Sequence, residues 1–129
     1  MYQKGDILVS NIRPYLKKIC YAETNGGCSP DVLVFRSHDP KAVLSEYLFY
    51  QMRRDEFFDH AMSDVKGMKM PRGKKDTIAS FKFVLPSLSE QKKVVKKLNE
   101  IEREIKREKQ KIINSSEAKR KIIKDYLEK

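Results

Sequence analysis

The most informative part of the chain is Phe81-Lys82-Phe83-Val84-Leu85-Pro86-Ser87-Leu88-Ser89-Glu90-Gln91. No Gly or Pro occurs between it and the end of the chain. An apolar run that stops at a proline predicts a strand over 81–85. The polar residues that follow favour a helix start, with Ser89 as the N-cap and two residues, Glu90 and Gln91, suited to the positive end of the helix dipole. The stretch therefore predicts a short strand that leads into one long helix.

The predicted helix carries an apolar stripe along one side. Its members recur on alternating four- and three-residue steps, with polar interruptions at Glu108, Ser115 and Lys119. At about 1.5 Å per residue the helix would be about 58 Å long, which is more than a domain of this size can cover. We therefore expect a helix-pairing interface formed by Val94, Leu98, Ile101, Ile105, Ile112, Ile122 and Tyr126.

The chain before the helix predicts a small domain. Short apolar runs between turn residues indicate strands at 7–10, 17–22 and 31–36. A helix of about 18 residues is expected from Ser45, and a short helical turn at 75–79. The predicted class is α+β: a small mixed sheet with one packed helix over residues 1–88, followed by a coiled-coil helix over 89–129.

Composition limits the kind of protein. With 129 residues, 40% of them hydrophobic and 36% charged, the chain has room for one domain and an extension. The formal charge of +10 indicates a polyanionic partner, nucleic acid before a membrane. No apolar stretch approaches about 18 residues and no leader opens the chain, so we expect a cytoplasmic protein in which Cys20 and Cys28 are reduced.

The position of the charge matters more than its total. Residues 89–129 carry 14 Lys and Arg against 8 Asp and Glu, which is typical of a solvated helix. In residues 1–88 the positive charge gathers in short clusters. The cluster in a loop-like, acid-poor stretch is the best candidate for phosphate contacts, and it contains Lys66, Lys69, Arg72, Lys74 and Lys75.

A second group of candidates follows the first predicted strand. Arg13 has the chemistry to bond a guanine edge and Asn11 that to bond an adenine. Arg13 could equally pair with a carboxylate of the domain, and Tyr15 could belong to the core. The full set of candidate DNA contacts is Asn11, Arg13, Tyr15, Lys17, Lys69, Arg72, Lys74 and Lys75.

Several short motifs occur along the chain in a characteristic order. They are Gly5–Ser10 followed by Arg13, Pro30–Val34, Tyr47-Leu48, Gly67, Met70-Pro71-Arg72, and Leu85-Pro86 through Glu90-Gln91 into the long helix. In this order they resemble the target-recognition half of a type I restriction–modification specificity subunit. The resemblance implies a domain that reads part of a bipartite DNA site. It also implies that the long helix forms an antiparallel coiled coil, which spaces two such domains.

The resemblance further implies partners. The expected partners are double-stranded DNA, methyltransferase subunits and, in the full enzyme, motor-nuclease subunits, with no catalysis by the chain itself. The chain has one recognition unit and one long helix where the full-length subunit has two of each. We therefore expect it to pair through the helix, as a homodimer or with another specificity fragment. Its first strand starts within six residues, so we expect a domain that is incomplete at its N-terminus.

Two other functions are compatible with parts of the sequence. The first is a coiled-coil adaptor whose basic surface is incidental. The second is a small metal-dependent nuclease that uses Asp31 with the Glu90-Gln91-Lys92 triplet. Glu-x-Lys recurs in the same helix at Glu104 and Glu117, so the pattern is expected there by chance.

The candidate metal ligands of the chain are widely spaced. Zinc binding by Cys20, Cys28, His38 and His60 fails on spacing, because no two of them lie two to five residues apart. Neither a Gly-rich phosphate loop nor a methyltransferase signature is found. The sequence therefore predicts no metal, no cofactor and no catalytic site.

Overall fold

A computed structural model describes residues 1–127. Contacts divide the chain into two compact units, Met1–Val95 and the part that follows from Lys96. The first two turns of the C-terminal helix belong to the first unit, where Gln91 and Val95 are buried.

A three-stranded sheet forms the centre of the first unit. The strands are β1 (Ile7–Ser10), β2 (Ile19–Tyr21) and β3 (Val32–Phe35), in the spatial order β2-β1-β3. Leu8 on the central strand faces Cys20 on one side and Val34 on the other. All three strands were predicted, but the expectation of a mixed sheet is corrected, because both pairings are antiparallel.

Four helices accompany the sheet in the described residues: α1 (Ser45–Met52), α2 (Asp55–Met62), α3 (Lys75–Ala79) and α4 (Leu88–Leu127). The single helix predicted from Ser45 is thus two helices. The chain is extended at Arg54, with φ −68° and ψ 147°. Two acidic residues, Asp55 and Glu56, then open α2, where negative charge favours a new helix start. The short helix at 75–79 is confirmed.

The strand predicted over 81–85 is wrong, since no strand is found there. Its aromatic side chains pack on the helices instead. The Phe81 ring centroid lies 5.2 Å from that of Phe57, and the Phe83 centroid lies 6.3 Å from that of Tyr47. The Tyr47 hydroxyl also donates a hydrogen bond to the Val84 carbonyl at 2.9 Å. The apolar alternation of this stretch therefore reflects helix packing rather than a sheet.

The core lies between the sheet and the first two helices. β1 contributes alternate residues from its inner face, as expected for a strand buried on one side. The ring of Phe57 meets that of Phe35 on β3 edge-on, with 6.4 Å between centroids. The buried cluster consists of Ile7, Val9, Met52, Phe57, Phe58, Ala61 and Ile78.

One carboxylate is buried at the start of β1. Asp6 is only 1% exposed, and its two oxygens accept bonds of 2.7 Å each from the Nε and Nη2 atoms of Arg36. The backbone N–H of Gln3 donates a third bond at 2.8 Å. The Arg36 guanidinium lowers the pKa of the Asp6 carboxyl, because its hydrogen bonds favour the charged form.

The start of α4 is held by side-chain hydrogen bonds. The N-cap is Ser87 rather than the predicted Ser89, because the Ser87 hydroxyl accepts the Glu90 N–H at 3.4 Å. Gln91 is fully buried. Its Nε2 donates to the carbonyls of Ala42 (2.9 Å) and Pro86 (3.0 Å), and its Oε1 accepts the Leu44 N–H (2.9 Å). Gln91 thus packs the first turn of α4 against the chain around Ala42 and Leu44, whereas the Glu90 side chain is exposed.

The second unit is the remainder of α4. Its apolar stripe is exposed, with Ile101 at 45%, Ile112 at 65% and Tyr126 at 75% of their full accessible area. Charged residues surround the stripe, and Lys111 pairs with Glu108 at 3.3 Å. None of the described helices is long and apolar enough to cross a membrane.

Candidate nucleic-acid interface

Two loops that are far apart in the sequence lie side by side in the first unit. We call residues 11–18 the turn loop and residues 63–74 the basic loop. The backbone N–H of Arg13 donates to the Pro71 carbonyl at 2.7 Å, and Ile12 forms an antiparallel bridge with Arg72. Asn11 Nδ2 donates to the Gly73 carbonyl at 2.9 Å. These links bring the basic residues of the turn loop and of the basic loop together.

The turn loop has an unusual backbone. A 3-10 turn at Pro14–Leu16 is flanked by Arg13 (φ 51°) and Lys17 (φ 53°), both left-handed although neither is glycine. Such conformations are costly and cluster at functional sites. Pro14 is buried and anchors the turn, whereas the Tyr15 side chain remains 49% exposed. The turn thus presents its side chains outward from a fixed backbone.

The basic loop is anchored at both ends. Val65 and Pro71 are buried, and Gly67 takes a left-handed φ of 85° between them. Gly73 sits in a tight space, because a Cβ there would lie 2.8 Å from Ile78 Cδ1 and 2.9 Å from Asn11 Oδ1. The loop therefore has a defined course, with its cationic side chains exposed.

Carboxylates hold several of the cations in place. The ion pairs, with their N–O distances, are Lys17–Asp55 (2.6 Å), Arg72–Asp31 (2.6 Å) and Lys74–Asp64 (3.8 Å). The hydrogen bond that the Lys17 ammonium donates to the Asp55 carboxylate raises the pKa of this ammonium. Within residues 1–127, no ion pair is found for three further lysines of this region, Lys66, Lys69 and Lys75.

The predicted DNA contacts differ in exposure. Asn11 is only 6% exposed, and its amide serves the link to Gly73. Arg13 is half-buried, and its Nε is buried without a hydrogen-bond partner among the described residues. Tyr15 is a surface residue and not part of the core. Five further members of the predicted set are exposed: Lys17, Lys69, Arg72, Lys74 and Lys75.

The residues considered for metal binding serve other roles. Asp31 pairs with Arg72, and Glu90 lies in the capped first turn of α4. His60 Nε2 is 2.6 Å from the Thr77 carbonyl, and both cysteines are free and exposed. In residues 1–127 there is no group of three or more His, Cys, Asp or Glu residues that could hold a metal ion.

The family described as "Type I restriction modification DNA specificity domain" matches residues 1–115, which include the sheet, both loops and most of α4. The chain belongs to this family. The match confirms the family resemblance found in the motifs.

Two relatives place this specificity domain among longer proteins. The type I restriction enzyme EcoDI specificity subunit of Escherichia coli is 27% identical over 100 residues, which cover 78% of this chain and 22% of that protein. The crystal structure of the HsdS subunit from Thermoanaerobacter tengcongensis matches with a TM-score of 0.69 at 24% identity. That match covers 82% of this chain and 28% of the HsdS chain, and it confirms the α+β fold with a long C-terminal helix.

Some contacts and exposures in the specificity domain could not be predicted from the sequence. The aspartates that pair with the loop cations lie on other elements, so only the fold reveals them. The bonding of Gln91 was also missed, because a glutamine at a helix start reads as ordinary helix chemistry. The exposure of Met68 and Met70, at 61% and 62%, was missed as well. The only sequence signal was their position in a stretch that also contains Lys66, Lys69 and Arg72.

Proposed function

We propose that this chain is a DNA-recognition unit of a type I restriction–modification specificity protein and binds double-stranded DNA through the turn loop and the basic loop. Membership of the DNA specificity domain family supports the class of function. The observation that carries the site is the Arg13–Pro71 hydrogen bond, because it joins two basic segments into one surface. A shared surface can follow a phosphate backbone better than either loop alone.

The two loops suit different kinds of contact. Exposed lysines of the basic loop and of the start of α3 can approach phosphates with loose geometry. Among the described residues, Lys69 and Lys75 have no ion pair to leave first. Arg13 and Tyr15 sit on the strained turn, where a fixed backbone favours readout of base edges. In this proposal Asn11 positions the basic loop through Gly73 rather than touching a base.

The long helix α4 is the proposed site of association with a second chain. We propose that α4 pairs with a second long helix, from another copy or another specificity fragment, through its exposed stripe. The support is the exposure of the predicted members, among them Ile101, Ile105 and Ile122 at 45%, 44% and 59%. Such a pair would present two recognition units to a site with two halves. Methyltransferase and motor-nuclease subunits would supply the chemistry, and this chain would supply the recognition.

Fluorescence anisotropy of the full chain with a mixed-sequence duplex, at a series of salt concentrations, tests the DNA-binding proposal. Affinity should fall by about 0.9 log unit per log unit of salt for each phosphate contacted. Lys74→Ala with Lys75→Ala should weaken binding to all sequences and reduce that slope. The control is Lys121→Ala with Lys124→Ala, at exposed positions of α4. It should leave the DNA affinity and the salt slope unchanged.

Two results would contradict the proposal. The first is an absence of binding at low salt by the unsubstituted chain, which would favour the adaptor function instead. The second is equal losses in the loop variant and the helix control, which would mean that net charge rather than the joined loops attracts the DNA.

A further inference from the structure

The basic loop exposes two large apolar side chains. Met68 and Met70 are 61% and 62% exposed, although their neighbours Val65 and Pro71 are buried. They alternate with cations in the stretch Lys66-Gly67-Met68-Lys69-Met70-Pro71-Arg72. Most of both side chains therefore lies in solvent, and exposed apolar side chains rimmed by polar residues mark interaction sites.

The adjoining turn loop shows the same combination. Tyr15 and Leu16 are 49% and 47% exposed and stand between Arg13 and Lys17. The Arg13–Pro71 bond places this turn beside the methionines. The surface is therefore apolar at its loop tips and cationic around them.

The combination of exposed apolar side chains with surrounding cations indicates what kind of partner binds this surface. A protein surface that covered the methionines would also have to neutralise Lys66 and Lys69, at the cost of removing these charges from water. Duplex DNA offers both features at the right scale, with phosphates outside and stacked apolar base faces inside. Methionine is unbranched and polarisable, which suits insertion between bases.

We propose that Met68 and Met70 insert between neighbouring base pairs of the bound duplex and partly unstack that step. The cations on either side bind the flanking phosphates. Because Val65 and Pro71 are buried, they hold the loop in place while the methionines insert. Because pyrimidine–purine steps unstack most easily, the loop would favour sites that carry such a step. This inference rests on the proposed function and adds a way of reading sequence that needs no hydrogen bond to a base.

Paired substitutions in the full chain test the insertion. Met68→Gln with Met70→Gln keeps side-chain length but adds polarity, whereas Met68→Leu with Met70→Leu keeps the apolar character. The probes are mixed-sequence duplexes with 2-aminopurine at a central pyrimidine–purine step. The unsubstituted chain and the Leu variant should raise the fluorescence on binding, and the Gln variant should not. The Gln variant should also bind about tenfold more weakly with an unchanged salt slope, since it loses apolar contact and no phosphate contact.

A change on the DNA side gives an independent measurement. An abasic position at the central step removes stacking, so the unsubstituted chain should bind that duplex several-fold more tightly than the intact one. The Gln variant should show no such gain.

The outcomes separate this inference from the proposed function. Salt-dependent binding with equal affinity and fluorescence in all three proteins would overturn the insertion and leave the DNA-binding proposal standing. A Gln variant that binds DNA normally but no longer binds the methyltransferase subunit would assign the methionines to a protein partner, which overturns the insertion as well. An unsubstituted chain that binds no duplex would overturn both.

Discussion

Arg72 and Asp31 form an ion pair of 2.6 Å between the basic loop and the residue just before β3. Both side chains keep contact with water, at 62% and 37% exposure. The Asp31 carboxylate thus binds the Arg72 guanidinium, which would otherwise be available to a DNA phosphate. In the free protein this cation is positioned and at the same time partly neutralised.

Removing the carboxylate should strengthen DNA binding. We expect Asp31→Asn to raise affinity for a mixed-sequence duplex by up to about fivefold, because an exposed ion pair contributes little and is easily exchanged. The salt slope should become steeper by about 0.9, as one more phosphate is contacted. Anisotropy across a salt series measures both. Glu117→Gln, which removes one charge from α4, is the control. Weaker binding by Asp31→Asn would show instead that the aspartate is needed to orient Arg72.

The tight space around Gly73 makes a second prediction. In Gly73→Ala the new methyl would meet Ile78 Cδ1 and Asn11 Oδ1 at under 3 Å, so the link between the loops must shift. We expect a loss of about 1–3 kcal/mol in the free energy of unfolding and weaker DNA binding. Gly27→Ala is the matched control, since nothing lies within 4 Å of its Cβ position. Urea denaturation compares the two, and equal stability would disprove the constraint.

A third prediction concerns pH. The Arg36 hydrogen bonds hold the pKa of the Asp6 carboxyl below its ordinary value in the folded state. The pair therefore stabilises the fold fully above the unfolded-state pKa of about 3.9, and this stabilisation is lost as pH falls through the lower folded value. Asp6→Asn should be less stable than the unsubstituted chain at pH 7, and the difference should shrink below about pH 4. Urea denaturation at several pH values measures this, and a difference that is constant with pH would contradict it.

The partner residue gives a check on the same pair. Arg36→Met leaves the Asp6 carboxylate buried without its counter-ion, whereas Asp6→Asn removes the charge itself. Breaking a buried pair from the cationic side should therefore cost more stability at pH 7 than neutralising the anion. The reverse order would mean that the guanidinium does not compensate the buried charge.

The fourth prediction tests the helix stripe. Leu98→Asp with Ile101→Asp and Ile105→Asp should convert an assembled protein into monomers in sedimentation velocity, because charges within a helix pair are strongly unfavourable. Gln110→Asp with Asn114→Asp, at positions that the helical period places on the other side of α4, should not change the oligomeric state. An unchanged state in the triple variant would contradict pairing through this stripe.

Local patterns predicted much of the fold. Alternating apolar residues between turn signals gave β1, β2 and β3, and the absence of Gly and Pro gave α4. The errors in the predicted helix and strand arose where backbone conformation and packing cannot be predicted from the local sequence. The helix breaks at Arg54, where the backbone is extended before the acidic first turn of α2. The aromatic residues of 81–85 pack against aromatic rings of α1 and α2.

The site was less predictable than the fold. Clusters of lysine and arginine marked both loops, but only the fold shows that Arg13 meets Pro71. Asn11 has the chemistry of a base-reading side chain, yet its position at the end of β1 buries it against Gly73. Exposure and pairing depend on residues dozens of positions away, so they lie beyond any local pattern.

Arg13 and Lys17 both have left-handed backbones. In this turn the backbone conformation that lowers the stability of the fold also carries cations proposed to recognise DNA. Glycine at either position would relieve the backbone, but it would also delete a cation from the surface that we propose binds DNA. A selection for heat resistance alone should therefore favour Arg13→Gly and Lys17→Gly, and thereby erode recognition first. A thermostable variant that keeps DNA recognition would therefore need stabilising substitutions outside this turn, with the strained backbone of the turn unchanged.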